Sequence, residues 1–108
     1  VIFVGVGQMG PDAPLALDGF VSQAVLNDLQ ALGAAGEIAS WVYDDQGRYI
    51  DTPRNALVGG VRVEPGQSQP VIAVAAGPQK VRPIRAAMVG RIVNGLVTDE
   101  ATAAAILA

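Results

Sequence analysis

Two stretches without a single polar side chain constrain this chain more than anything else in it: VIFVGV at residues 1–6 and VIAVAA at residues 71–76. A strand with one wet face alternates apolar and polar residues. A strand with no polar residue needs cover on both faces, as in a parallel sheet. The two runs therefore predict two central parallel strands of one sheet.

The segments between them supply the rest of the pattern. Residues 7–19, GQMGPDAPLALDG, carry Gly7, Gly10, Pro11 and Pro14 and read as a loop rather than a helix. Ser22 is placed to cap a helix whose apolar positions Val25, Leu26, Leu29 and Leu32 follow helical spacing, with Gly33 closing it. In residues 37–51 the alternation of Ile38, Ser40 and Val42 is answered by Arg48, Tyr49 and Ile50. Asp45-Gln46-Gly47 supplies the turn, so this predicts a β-hairpin. Residues 52–70, punctuated by Pro53, Gly59, Gly60, Pro65, Gly66 and Pro70, read as a surface excursion holding a short strand or turn within 57–63. Residues 84–89 predict a helix, and Leu96 and Val97 a short third strand. Residues 98–108 predict a helix capped by Thr98 or Asp99, with acids in its first turn. Strand, helix, hairpin, strand, helix, strand, helix is an α/β pattern with a parallel core.

Composition excludes several kinds of chemistry. The 108 residues contain no cysteine and no histidine, which removes disulfides, thiolate metal sites, histidine triads and most zinc sites. Six arginines and one lysine are scattered among ten acids, a net charge of −3, with no basic patch of the kind nucleic acid needs. No apolar stretch approaches the roughly 18 residues of a membrane span. The length suits one domain at most. A chain that opens on a strand without methionine reads as a piece of a longer protein.

Carboxylates, arginines, hydroxyls, backbone amides and Lys80 remain to carry function. In parallel sheets ligands bind beyond the carboxyl ends of the strands, where GQMG, GPQK and TDE lie. Gly7 and Gly77 permit close backbone approach, and Lys80 adds a full charge, so a phosphate or carboxylate between these loops is one reading. Plain turns at the glycines and a solvated lysine are the other, and spacing leaves both open. Glu37, opening an apolar strand, is either a site residue or a solvated strand end. Trp41 and Tyr43 read as packing residues. DDQG at residues 44–47 lacks the acid spacing of a calcium loop, so no metal is expected.

Taken in order, VGVGQMGPDAPLALDGFVS, LGAAGEIASWVYDDQGRYIDTP, VIAVAAGPQKVRPIRAA and VNGLVTDEATAAAIL resemble the C-terminal half of the sugar-binding (effector) domain of SorC/DeoR-type bacterial transcriptional regulators. The shared pattern is strand-Gly-x-Gly, a Gly-aromatic-x-Ser helix entry, Gly-acid-Ile before a hairpin, a Gly-x-x-Lys loop and Leu-x-Thr-Asp-Glu-x-Ala. It runs over essentially the whole chain. The resemblance implies a Rossmann-like sheet of the glucosamine-phosphate isomerase and coenzyme A transferase type, with a hairpin excursion and present as a fragment. Residues 1–108 would be the C-terminal part of one effector domain. It also implies a sugar or phosphorylated-sugar effector, a homo-oligomer, and a cytoplasmic setting. DNA would be reached only through an N-terminal helix-turn-helix outside these residues. No cofactor and no membrane contact is implied.

Carried over residue by residue, the resemblance makes Lys80 the ligand lysine in the loop that Gly77 opens. Glu37 becomes the site carboxylate, and Gly5, Gly7 and Gln8 the Gly-x-Gly loop. Two departures stand out. Leu17-Asp18 precedes Gly19-Phe20 where relatives carry a basic residue, which argues against a doubly phosphorylated ligand. Pro83 falls where relatives continue a helix, so that helix either starts near Pro83 or kinks there.

The alternative is an enzyme of the sugar-phosphate isomerase or deaminase type on the same fold. Such enzymes need an acid and a histidine near a loop like GVGQMG for proton transfer. Here that loop offers Gln8 and Met9, Asp12 is the nearest acid, and histidine is missing altogether. The residue deficit favours a regulator.

Overall fold

The computed structural model describes all of residues 1–108. Its strands are β1 (Ile2–Val4), β2 (Gly7–Gln8), β3 (Ala34–Ile38), β4 (Trp41–Asp44), β5 (Val71–Val74) and β6 (Gly95–Val97). Its α-helices are α1 (Pro14–Leu17), α2 (Gln23–Ala31), α3 (Val81–Val89) and α4 (Glu100–Leu107). The two apolar runs form parallel neighbours as expected: β5 is central between β1 and β6, with Ile2 opposite Val71 and Ala73 opposite Leu96. One face of this sheet carries Val71 and Ala73 into the core, with Ile2, Val4 and Leu96 packed against it. On the opposite face Phe3 is 64% exposed, Val74 50% and Val97 54%. Within these residues the sheet is covered on one face only.

The strand expected over residues 1–6 is shorter than its apolar run. The chain leaves β1 at Gly5, buries Val6, and enters a second, antiparallel sheet at Gly7. That sheet has the order β2-β3-β4, with Gly7 opposite Glu37 and Gln8 opposite Gly36. Its hairpin turns earlier than the sequence pattern indicates. Ala39 (φ 52°) and Ser40 (φ 73°) form a two-residue turn, both central residues having the positive φ of a type I′ hairpin. Ser40 therefore belongs to the turn and not to a strand. The Asp45-Gln46-Gly47 segment makes a second turn, which returns the chain for a single bridge between Tyr43 and Tyr49.

Helix α3 ties the two sheets together. Its Ile84, Ala86 and Ala87 share one core with Val71 and Ala73 of the parallel sheet and with Ala35, Ile38 and Tyr43 of the hairpin sheet. A fully buried aliphatic side chain such as Ile84 contributes about 1.5–3 kcal/mol. A second cluster lies between the hairpin sheet and α1 and α2, formed by Leu15, Leu26, Leu29, Ala34 and Val42 with Met9 and Ala13.

Local signals explain most element ends. The Ser22 hydroxyl accepts the Val25 amide at 3.2 Å, as its placement predicts. Asp99 caps α4 by accepting the Thr102 amide at 2.7 Å. Segment 7–19, read as loop, contains the single helical turn α1, with Pro14 in its first turn, where a missing N–H costs nothing. Pro83 resolves in the same way. A 3₁₀ turn, Pro78–Lys80, leads into α3 at Val81, so Pro83 lies in the first turn and no kink is needed. Its ring packs where a side chain on Gly36 would otherwise stand, and its carbonyl accepts the buried Tyr43 hydroxyl at 2.9 Å. Residues 53–57 form another 3₁₀ turn, and residues 58–70 contain no strand.

Candidate functional site

The connection from β1 to β2 and the hairpin turn meet at one cleft of about 350 Å³. Gly5, Val6 and Gly7 form one wall, and Glu37, Ala39 and Ser40 another, with Asp18 and Phe20 at the far side. Antiparallel pairing sets Glu37 directly opposite Gly7. The carboxylate then folds across the glycine, since a Cβ on Gly7 would overlap the Glu37 side chain. One carboxylate oxygen accepts the Ser40 amide at 2.9 Å, so the acid also braces the hairpin turn. The opposite oxygen lies over the Gly7 backbone.

Lys80 joins this wall from the turn that follows β5 of the parallel sheet. Its ammonium donates to the carbonyl of Val6 at 2.5 Å, reaching across from the start of α3 to the β1–β2 connection. Gly77 has φ 120°, a conformation reserved for glycine, and its amide donates to the Thr102 hydroxyl of α4 at 2.9 Å. Gln8 faces a different, larger cleft that also holds Asp12, Gln30 and Arg82, and its side-chain oxygen accepts the Gly10 amide. Of the six residues singled out in the sequence, Gly5, Gly7 and Glu37 line one cleft. Lys80 contacts its lining residue Val6, while Gln8 and Gly77 lie outside it.

The charge of Glu37 is felt by its neighbours. Burial pushes the Tyr43 phenol well above its ordinary value, and Glu37 adds to that rise. Burial pulls the Arg54 guanidinium below its ordinary value, and Glu37 works against that fall. Arg54 was not evident from the sequence, because it comes from the irregular excursion after β4 and only the fold brings it towards the hairpin turn. Its one signal is a lone cation in the run from Thr52 to Val61. No cluster of three or more acidic, histidine or cysteine side chains is placed to hold a metal. The cleft offers a carboxylate that accepts hydrogen bonds, open space beside the Gly5 backbone, and a cation bonded to the Val6 carbonyl of its wall. That is equipment for holding a polyhydroxylated, anionic small molecule.

Comparison with known proteins places this geometry in context. The family model Sugar-bind, described as "Putative sugar-binding domain", matches residues 1–108. The transcriptional regulator LsrR of Klebsiella pneumoniae is 33% identical over 110 residues, covering 100% of this chain and 34% of that protein. The erythritol catabolism regulatory protein EryD of Brucella abortus is 29% identical over 104 residues, covering 96% of this chain and 33% of that protein. Among solved structures, the full-length sorbitol operon regulator SorC of Klebsiella pneumoniae superposes with a TM-score of 0.81 at 31% identity, covering 98% of this chain and 35% of that one. A DeoR family transcriptional regulator from Listeria monocytogenes gives a TM-score of 0.85 at 22% identity, covering 96% of this chain and 42% of that one, and so shares the fold. The chain spans about a third of the length of the curated relatives it matches.

Proposed function

Because the chain belongs to the family of sugar-binding domains found in transcriptional regulators, we propose that it is the C-terminal part of an effector domain that binds a sugar or sugar phosphate. The observation that carries this reading is the cleft in which Glu37 folds over Gly7 while Lys80 holds the Val6 carbonyl of the same wall. Glu37 accepts hydrogen bonds from the sugar hydroxyls. Lys80 supplies the positive charge for its phosphate or a ring oxygen, and Gly5 lets the ligand lie against the backbone, while Gly7 leaves the room that the Glu37 side chain fills. Gly77 shapes the lysine's loop, and Gln8 completes the β2 strand that carries Gly7.

Binding here is regulatory rather than catalytic. The ligand shifts a subunit arrangement in a homo-oligomer, and an N-terminal helix-turn-helix transmits that shift to DNA in the cytoplasm. No helix is long and apolar enough to cross a membrane. Two relatives are named for erythritol and sorbitol, so polyols belong among the candidate effectors. Thermal-shift screening of the full natural chain against sugars, polyols and their phosphates tests the reading. A ligand at a hundred times its dissociation constant stabilises by about 2.7 kcal/mol, a clear rise in melting temperature. A panel without any stabilising member would overturn it.

A further inference from the structure

A second cleft, of about 420 Å³, adjoins the one described above and shares Phe20, Ala39 and Ser40 with it. Its floor is largely apolar, from Val21, Val25 and Leu57, and its one charged lining residue is Arg54. Arg54 makes no ion pair and no hydrogen bond, whereas the one other half-buried cation, Lys80, has a partner. Lys80 has the Val6 carbonyl, whereas Arg62, Arg82 and Arg85 are more exposed and still paired. Its Nη1 is shut off from solvent with nothing to donate to. Asp28, which lines a smaller cleft together with Arg54, does not reach ion-pair distance of it. The Thr52 hydroxyl, two residues away, is likewise buried and unpartnered.

A buried guanidinium N–H without an acceptor is unfavourable, and a planar fork of donors matches phosphate or carboxylate better than it matches water. We propose that Arg54 is an anion-binding residue of the effector site, taking a phosphate or carboxylate group of the ligand at the end of the cleft beyond Ser40. Shared lining residues set the two clefts side by side, with Glu37 in one and Arg54 in the other. The Ser22 and Ser40 hydroxyls add neutral hydrogen-bonding partners along them. The burial that lowers the guanidinium's affinity for its proton would be offset by a bound anion, in the same direction that Glu37 acts now. This inference rests on the effector reading above and assigns one more residue to it.

Calorimetric titration of the full natural chain with inorganic phosphate, and with glucose 6-phosphate, tests the proposal. The expected result is measurable phosphate binding that Arg54→Gln weakens at least tenfold and Arg54→Lys about threefold, since lysine keeps the charge and loses the fork. Phosphate binding that Arg54→Gln leaves unchanged overturns the assignment. If Lys80→Ala weakens the same binding, the effector reading survives that failure. No phosphate or sugar-phosphate binding to the unaltered chain overturns both. Should Arg54→Gln not fold, Arg54→Lys decides: unchanged phosphate affinity in that variant also overturns the assignment.

Discussion

The ammonium of Lys80 donates to the carbonyl of Val6, a contact between residues 74 positions apart that joins the start of α3 to the connection between the two sheets. The loop that the lysine ends is thus more than a turn, because the residue it holds lines the cleft under Glu37. From sequence alone Lys80 reads as an edge residue with little part in folding. A charge-assisted hydrogen bond of this kind contributes about 1.5–3 kcal/mol before exposure is discounted, and Lys80 is only partly buried. Lys80→Ala is therefore expected to lower stability by about 1 kcal/mol in urea melts, in addition to its effect on ligand.

Tyr43 and Pro83 fix α3 against the hairpin sheet through the 2.9 Å hydrogen bond from the phenol to the proline carbonyl, in a fully buried position. Tyr43→Phe keeps the ring and removes the donor. It should cost about 0.5–1.5 kcal/mol by chemical denaturation, with no change in ligand preference. A loss near zero would mean that the carbonyl finds another partner.

The hairpin turn stores strain that can be relieved. Ser40 holds φ 73° without being glycine, at the second position of a turn that favours glycine there. Ser40→Gly should raise stability by about 1 kcal/mol, because the left-handed conformation costs an ordinary residue roughly 1–2 kcal/mol. The Glu37–Ser40 amide contact survives this change, since it uses the backbone. Ligand affinity should fall only if the Ser40 hydroxyl contacts the ligand, which a paired titration measures.

Acid sensitivity follows from two carboxylates. Asp99 lies below its ordinary value of 3.8 because it accepts hydrogen bonds from Thr102, and Asp45 lies below the same value because Arg82 donates to it. A carboxylate with a depressed folded-state pKa stabilises above its unfolded value and loses that contribution as pH falls through the folded one. The stability these groups supply should therefore be fully present above about pH 5 and decline below pH 3.8. Asp99→Asn keeps a capping oxygen without a titrating proton, so melting temperature against pH should flatten in that window. An unchanged acid limb would assign the loss to other groups.

What the sequence reveals here tracks how local the signal is. Ser22, Gly33 and Asp99 mark helix ends through chemistry confined to one turn, and β5 shows as an unbroken apolar run. The hairpin turn was hidden because Ala39-Ser40 lacks the Asn-Gly chemistry that usually marks one, while Asp45-Gln46-Gly47 carries it and forms a second turn nearby. The register irregularity between Ala34 and Gly36 also breaks the alternation that strand reading depends on. Helix α1 is a single turn, too short for periodicity. At the site, Glu37 and Gly7 could be read from their motif, and their contact follows from strand register. Arg54 could not, because its place depends on how an irregular segment folds back on the hairpin.

The central claim is that Glu37 and Lys80 serve one ligand. It is tested most directly by calorimetric titration of the full natural chain, with the sugar phosphate that stabilises it most, against Glu37→Gln and Lys80→Ala. The expected result is a tenfold to hundredfold loss of affinity in each variant, at about 1.4 kcal/mol per decade. The neutral parent sugar should lose affinity with Glu37→Gln and much less with Lys80→Ala. Sugar-phosphate affinity unchanged in both variants would contradict the account.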